Sequence, residues 1–303
     1  MQTNWRVRKM RDMNQIESNP ADCNVPPMVM TELPNVPMLL GKAAFKLGHY
    51  NIGDPLPALA ARVDGLSLDG AHLKRYREIC GFDSDRIPAT YMLLMAFPLF
   101  MKLLLCKSFP LRTMGQVHLR NQISVHQAIT IDSRLSISAS VGSSELTSRG
   151  LEWNIDSTAE VDGQVVWSSQ STFLNRCKTD IKREVTEERI ASGDPQCWSV
   201  SADMGRRYAR VSGDFNPIHL SSFTAKILGF KRAIAHGMWS KARCLAALDK
   251  SIPDAGYSVD VSFHRPLFLP SSVLFYSQQL EGTHSFSLFD QSASQMHLEG
   301  AIL

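Results

Sequence analysis

Apolar positions along the chain fall into two kinds of run. Between Ile87 and Cys106, methionine, leucine and phenylalanine occupy nearly every face of a would-be helix, so this stretch predicts a central helix buried all round. Elsewhere the pattern is shorter. Pro57 to Gly65 is apolar and β-capable, and Asp69-Gly70 then opens a helix over Ala71 to Cys80 with an aspartate near its start. Gly115 to Gln127 alternates in part. Leu135 to Val141, Leu151 to Val161 and Gln164 to Phe173 read as further strands, with Asp162-Gly163 as a hairpin turn. Strand, helix, long buried helix and several antiparallel strands in succession predict a curled sheet wrapped around one helix.

The same succession then starts again. Trp198 to Ala202 is a short strand candidate and Met204 to Val211 a helix running into Ser212-Gly213-Asp214. Ala233 to Leu248 is a second long helical pattern, in which Gly237 stands ahead of Met238. Tyr257 to Phe263, Ser272 to Leu280, Phe286 to Phe289 and Gln295 to Leu303 follow as strands. Between the two successions lies a charged stretch that includes Lys178, Lys182, Arg183, Glu184 and Glu187, with no strand pattern. The expected organisation is a loose extension over 1–28, one domain over 29–177, a charged linker over 178–193 and a second domain over 194–303.

Short matches support a degenerate repeat. Tyr76 precedes Gly81 by the spacing that separates Tyr208 from Gly213, and Val117 to Ile123 resembles Val261 to Leu267. From Tyr76 to Leu119 the chain advances 43 positions (119 − 76), and from Tyr208 to Phe263 it advances 55 (263 − 208). The second half is longer, and the excess is assigned to Asn216 to Phe230. Where Asp214 would align, the first half has Phe82, with Asp83 one place further on.

Composition narrows the function. The 303 residues are 44% hydrophobic, enough for two cores in a soluble protein, and the net charge of +3 is too slight to make nucleic acid the main ligand. Six scattered cysteines lack the paired spacing of zinc or redox sites, so no metal is expected and a reduced, cytoplasmic setting fits. The run from Tyr91 to Cys106 is broken by Pro98 and Lys102 and is too short to span a bilayer. No secretory or peroxisomal signal is read at either terminus.

Candidate chemistry concentrates in Tyr208 to Trp239. Asp214 and His219 flank an Asn-Pro step that pushes Asn216 out of the helical region, so the two side chains come from a bend able to aim a carboxylate and an imidazole at one water. Gly237 heads a helix whose free N–H groups can polarise a carbonyl oxygen. Taken alone, Asp214 reads first as a cap for a helix starting near Pro217, and His219 as an ordinary hydrogen-bonded histidine; their company in one motif turns both towards catalysis. His236 is a second-rank candidate for substrate contact. Lys231, Arg232 and Arg265 are candidates for phosphate groups, weighed against surface roles. The methionine- and leucine-rich run from Met92 to Leu103 reads first as core and second as the lining of an acyl tunnel.

Tyr208 through His219, with Ala225 six residues on, resembles the signature of the MaoC-like dehydratases, the R-specific enoyl-CoA hydratases and their 3-hydroxyacyl thioester dehydratase relatives. Ala235-His236-Gly237-Met238 is similar to the start of that family's central helix, and Ala96-Phe97-Pro98-Leu99 to the non-catalytic half of its double-domain members. The resemblance covers roughly Leu39 to Leu303. It implies an α+β double hot-dog fold in which each half is a curved antiparallel sheet around a long helix. It also implies a hydro-lyase that adds water to a trans-2-enoyl thioester, or removes it from the R-3-hydroxyacyl thioester. Asp214 and His219 would activate the water, Gly237 would take the oxyanion role, and Asn216 would position the loop or the water. No cofactor is implied beyond the coenzyme A or phosphopantetheine of the substrate, so an acyl carrier protein is one conceivable partner. A homodimer is left open. A hot-dog thioesterase and a non-catalytic acyl-thioester binding protein are the alternative readings.

Overall fold

A computed structural model describes residues 26–182, 194–280 and 282–303. Most of the expected extension, and residues 183–193 of the expected linker, lie outside them. Eleven strands form one sheet in the order β1-β2-β4-β5-β6-β3-β8-β11-β10-β9-β7. The first six strands are β1 (Met28–Met30), β2 (Ala60–Ser67), β3 (Val117–Val125), β4 (Arg134–Thr147), β5 (Gly150–Val161) and β6 (Gln164–Asn175). The other five are β7 (Gln196–Val200), β8 (Tyr257–Phe263), β9 (Ser271–Leu280), β10 (Thr283–Asp290) and β11 (Met296–Ile302).

The path β2-β4-β5-β6-β3 is repeated by β7-β9-β10-β11-β8, so both halves have the same topology and meet where β3 pairs antiparallel with β8. Every pairing is antiparallel except β1 on β2. The β5–β6 hairpin turns through Asp162 and Gly163, both at positive φ, which is the geometry a two-residue hairpin needs to match strand twist.

Helices α2 (Gly70–Cys80) and α3 (Ala89–Leu104) of the first half correspond to α4 (Met204–Ser212) and α7 (Gly237–Ala247) of the second. The Asp69 side chain caps α2 by accepting from the Ala71 and His72 amides at 2.8 and 3.1 Å. Gly81 and Gly213 end α2 and α4 in the same left-handed conformation, so the repeated glycine of the sequence is a repeated helix stop. No residue of α3 is exposed, as its all-round apolar pattern requires. One apolar cluster runs through both halves, and Tyr76 and Tyr208 sit within it with ring centroids 6.2 Å apart.

Five elements depart from the sequence expectations. Strand β1 includes Met28, the last residue of the stretch read as extension. Helix α1 (Val36–Ala43) follows it, capped by the Asn35 side chain. Helices α5 (Pro217–Leu220) and α6 (Ser222–Ile227) fold the segment between Asp214 and Gly237. The second long helix starts at Gly237 and not at Ala233, because residues 233–235 are extended: the Ala235 amide donates to the Leu267 carbonyl and the Leu269 amide to the Ala233 carbonyl, each at 2.8 Å. No described helix is long and apolar enough to cross a membrane.

Candidate active site

Helix α4 delivers the chain to the site and Gly213 turns it. The Asp214 carboxylate accepts from the Asn216 amide at 3.1 Å, and the Asn216 side chain accepts from the Ile218 amide at 3.4 Å to cap α5. Asn216, rather than Asp214, is therefore the helix cap, and Asp214 keeps an oxygen for other work. Pro217 is the first residue of α5, where its missing N–H costs nothing. His219 comes out of this single turn buried, and its Nδ1 lies 2.8 Å from the Ile234 carbonyl oxygen. A carbonyl can only accept, so Nδ1 carries the proton and Nε2 presents a lone pair.

His236, the residue before α7, completes the arrangement. Its Nε2 donates to the Asp214 backbone carbonyl at 2.9 Å and lies 3.9 Å from the Asp214 carboxylate. Its ring stacks on that of His219 with centroids 3.7 Å apart. Burial lowers the pKa of both imidazoles. For His219 the opposing pull of Asp214 and the Ile234 carbonyl is smaller, and for His236 the neighbouring His219 adds to the lowering. Both rings are therefore neutral near pH 7. Donor atoms of Asp214, His219 and His236 all lie within 4.8 Å of one another, a spacing that suits one shared water and would also admit a cation.

Backbone packing sets these positions. A Cβ on Gly205 of α4 would fall 1.9 Å from the His219 carbonyl oxygen, so the helix lies directly against α5. Gly237 faces the Phe263 ring of β8, which a Cβ would meet at 3.2 Å.

A cavity of about 1770 Å³ opens from Asp214, Asn216, His219, His236 and Gly237. It continues across the seam to the first half, where Leu93, Leu94, Phe97, Met101 and Leu104 present one stripe of α3 to it. That helix thus packs into the core on one side and lines the cavity on another. Arg265 lines the same cavity, whereas Lys231 and Arg232 do not. Lys231 is exposed, and the Arg232 guanidinium lies 5.8 Å from the Phe268 ring centroid and 3.5 Å from the Pro270 carbonyl oxygen. Arg120, Arg149 and Arg176 of the first half and Lys182 of the charged stretch also line the cavity, a place the sequence did not assign to them. Alternation along β3 and the basic residues after β6 carried the only signal for them. Arg120 and Arg149 each hold the Glu152 carboxylate at 2.8 Å. Also unnoticed was His118, stacked on Phe173 at 4.6 Å and held neutral by burial, with its pKa lowered to about 3.

Residues 178–299 match the model of the MaoC like domain, a range that contains the whole arrangement from Asp214 to Gly237. The second half of the chain is similar to the MaoC like domain. A relative, 3-hydroxyacyl-thioester dehydratase X of Mycobacterium tuberculosis, is 28% identical over 278 residues, covering 90% of this chain and 99% of the relative. A crystal structure of HtdX from the same organism superposes with a TM-score of 0.71 at 27% identity, over 80% of this chain and 98% of that one. A MaoC-like dehydratase from Phytophthora capsici shares the fold, with a TM-score of 0.68 at 18% identity over 84% and 97% of the two chains. The family model thus falls on the second half of the chain, while the relatives that match along most of their length reach into both halves.

Proposed function

We propose that this chain catalyses the reversible hydration of a trans-2-enoyl thioester to the R-3-hydroxyacyl thioester, at a single site in the second half. The observation that carries this reading is the bare Nε2 of a neutral, buried His219 beside the Asp214 carboxylate at the open N-terminus of α7. In the hydration direction Asp214 and His219 hold one water. Its oxygen bonds to C3 and its proton passes to His219 Nε2, while Asp214 offsets the positive charge the ring gains. Negative charge develops on the thioester oxygen, where the free amide at Gly237 receives it. The proton then moves from His219 to C2, so one water has been added across the double bond and the site is regenerated.

The two halves divide the work. Residues 194–303 carry the acid/base groups, and residues 29–177 supply the apolar stripe of α3 along which the acyl chain extends, with 178–193 as the linker. Arg265 and its basic neighbours at the cavity meet the phosphates of the thioester carrier. A hydration assay across enoyl-CoA chain lengths with a stereochemical readout tests this, with thiol release from a saturated acyl-CoA run beside it. The R-3-hydroxyacyl product should form with no thiol release. Asp214→Asn and His219→Ala should each remove most hydration while the protein stays folded, and near wild-type rates in either would sink the assignment.

A further inference from the structure

Lys241 is the one lysine or arginine that the described residues bury completely, at 0% exposure. It lies on α7 four residues after Gly237, one turn along the same face. That face rests on β8: Gly237 is against Phe263, and Lys241 Nζ is 3.3 Å from the Val259 carbonyl oxygen, four residues away on the same strand. The ammonium also donates to the backbone carbonyl of Asn121 at 2.8 Å and to its side-chain oxygen at 2.7 Å. Three donors therefore meet three acceptors, two of them on β3 of the other half.

Asn121 is itself fully buried and is held in turn. Its Nδ2 donates to the Ser169 and Ser171 hydroxyls at 2.9 and 3.0 Å, which fixes the amide with its oxygen towards Lys241. A polar chain thus runs from α7 across the β3–β8 seam into β6. Apolar contacts alone let a helix slide over a sheet, since they are non-directional. Three directed bonds to fixed oxygens do not. Burying an amine is costly, whereas a methionine would fill the same space without a charge to desolvate. The cost is set against a demand of the chemistry: an oxyanion donor displaced by about 1 Å can lose about 100-fold in rate.

We propose that Lys241 is a positioning residue for hydration, its ammonium pinning α7 to the seam so that the Gly237 amide stands where the thioester oxygen arrives. This role rests on the hydratase reading given above. The protonated form is the one that matches all three acceptors; a neutral amine has two donors and turns a lone pair on the third oxygen. Burial lowers the pKa of Lys241 to about 7, against a smaller raising effect from Asp260 of β8. The other titratable group facing it is His118 of β3, which is neutral across the working range. Turnover should therefore fall as pH rises through about 7.

Two variants test this. Asn121→Asp keeps the shape, and the two serines can rotate to donate to it, but it sets a carboxylate against the ammonium and so raises the pKa of Lys241. The alkaline limb of kcat should move up by about one pH unit or more, with KM within about threefold of wild type. Lys241→Met should lower kcat roughly 10- to 100-fold at pH 7 with KM similarly unmoved and the native circular dichroism spectrum kept. An alkaline limb unmoved in Asn121→Asp, or wild-type kcat in Lys241→Met, overturns the role while the hydratase reading stands. A wild-type chain that does not hydrate any enoyl thioester overturns both.

Discussion

In the first half, the chain leaves α2 at Gly81 and enters α3 at Ala89, 8 positions on (89 − 81); in the second it leaves α4 at Gly213 and enters α7 at Gly237, 24 positions on (237 − 213). The longer passage folds as α5 and α6 and carries His219. Its helix is shorter in exchange, 11 residues in α7 against 16 in α3. The two halves thus share strands, helix stops and core, and differ in what fills the gap before the central helix. Where the gap is short, α3 turns leucine, phenylalanine and methionine to the cavity. Where it is long, Asp214 and His219 stand there. On the proposed mechanism fold and chemistry are separable in this molecule, and a segment of about two dozen residues carries the chemistry.

The sharpest way to break the comparison is to remove the difference. His219→Ala should cost roughly 10²–10⁴-fold in kcat for enoyl-CoA hydration, measured by loss of the enoyl absorbance. Gly205→Leu copies the residue that the first half has at this position, Leu73, buried at 4% exposure three residues before Tyr76. The new side chain would collide with the His219 carbonyl, and thermal unfolding should show destabilisation of about 3 kcal/mol or more. Leu94→Trp, on the cavity face of α3, should lower kcat/KM for long-chain enoyl-CoA about 10- to 100-fold and leave the four-carbon substrate within about twofold. An equal loss for both lengths would show that the first half does not house the chain.

The pH profile gives a smaller effect with a fixed sign. Burial lowers the pKa of His219, and in the proposed mechanism the neutral ring is the active form, so rates should hold below pH 6.5 and fail as pH drops through the lowered value. A kcat/KM profile with its acid limb above 6.5 would contradict this. The smallest effect belongs to Asp83, exposed in the short passage. Asp83→Asn should leave hydration within about twofold, the difference from Asp214→Asn being the measure of asymmetry between the halves.

Periodicity made most of the frame legible. Tyr257–Phe263 is the strand its alternation predicts, and the all-round apolar pattern of Ile87 to Cys106 becomes a helix with no exposed residue. Short elements were not legible, because four residues in α5 or three in β1 are too few to show a period. Helix α1 did leave a signal: Asn35 as cap with Pro37 in the first turn. At the site, the bend at Asp214 and the helix start at Gly237 follow from proline and glycine chemistry. The roles of neighbours do not. Arg120 and His118 reach the cavity through strand pairing across the sheet, and Lys231 and Arg232, close to the motif in sequence, point elsewhere. Lys241 was invisible for the same reason, since its partners are 120 and 18 positions away.

The seam between β3 and β8 has one more implication. Two identical subunits meeting edge to edge must carry identical sites, so any change that widened one for a longer acyl chain would delete the machinery from the other as well. Joining the copies in one chain breaks that symmetry. Each copy then varies alone, and under the proposed division of work substrate range can drift in residues 29–177 while Asp214 and His219 are left untouched.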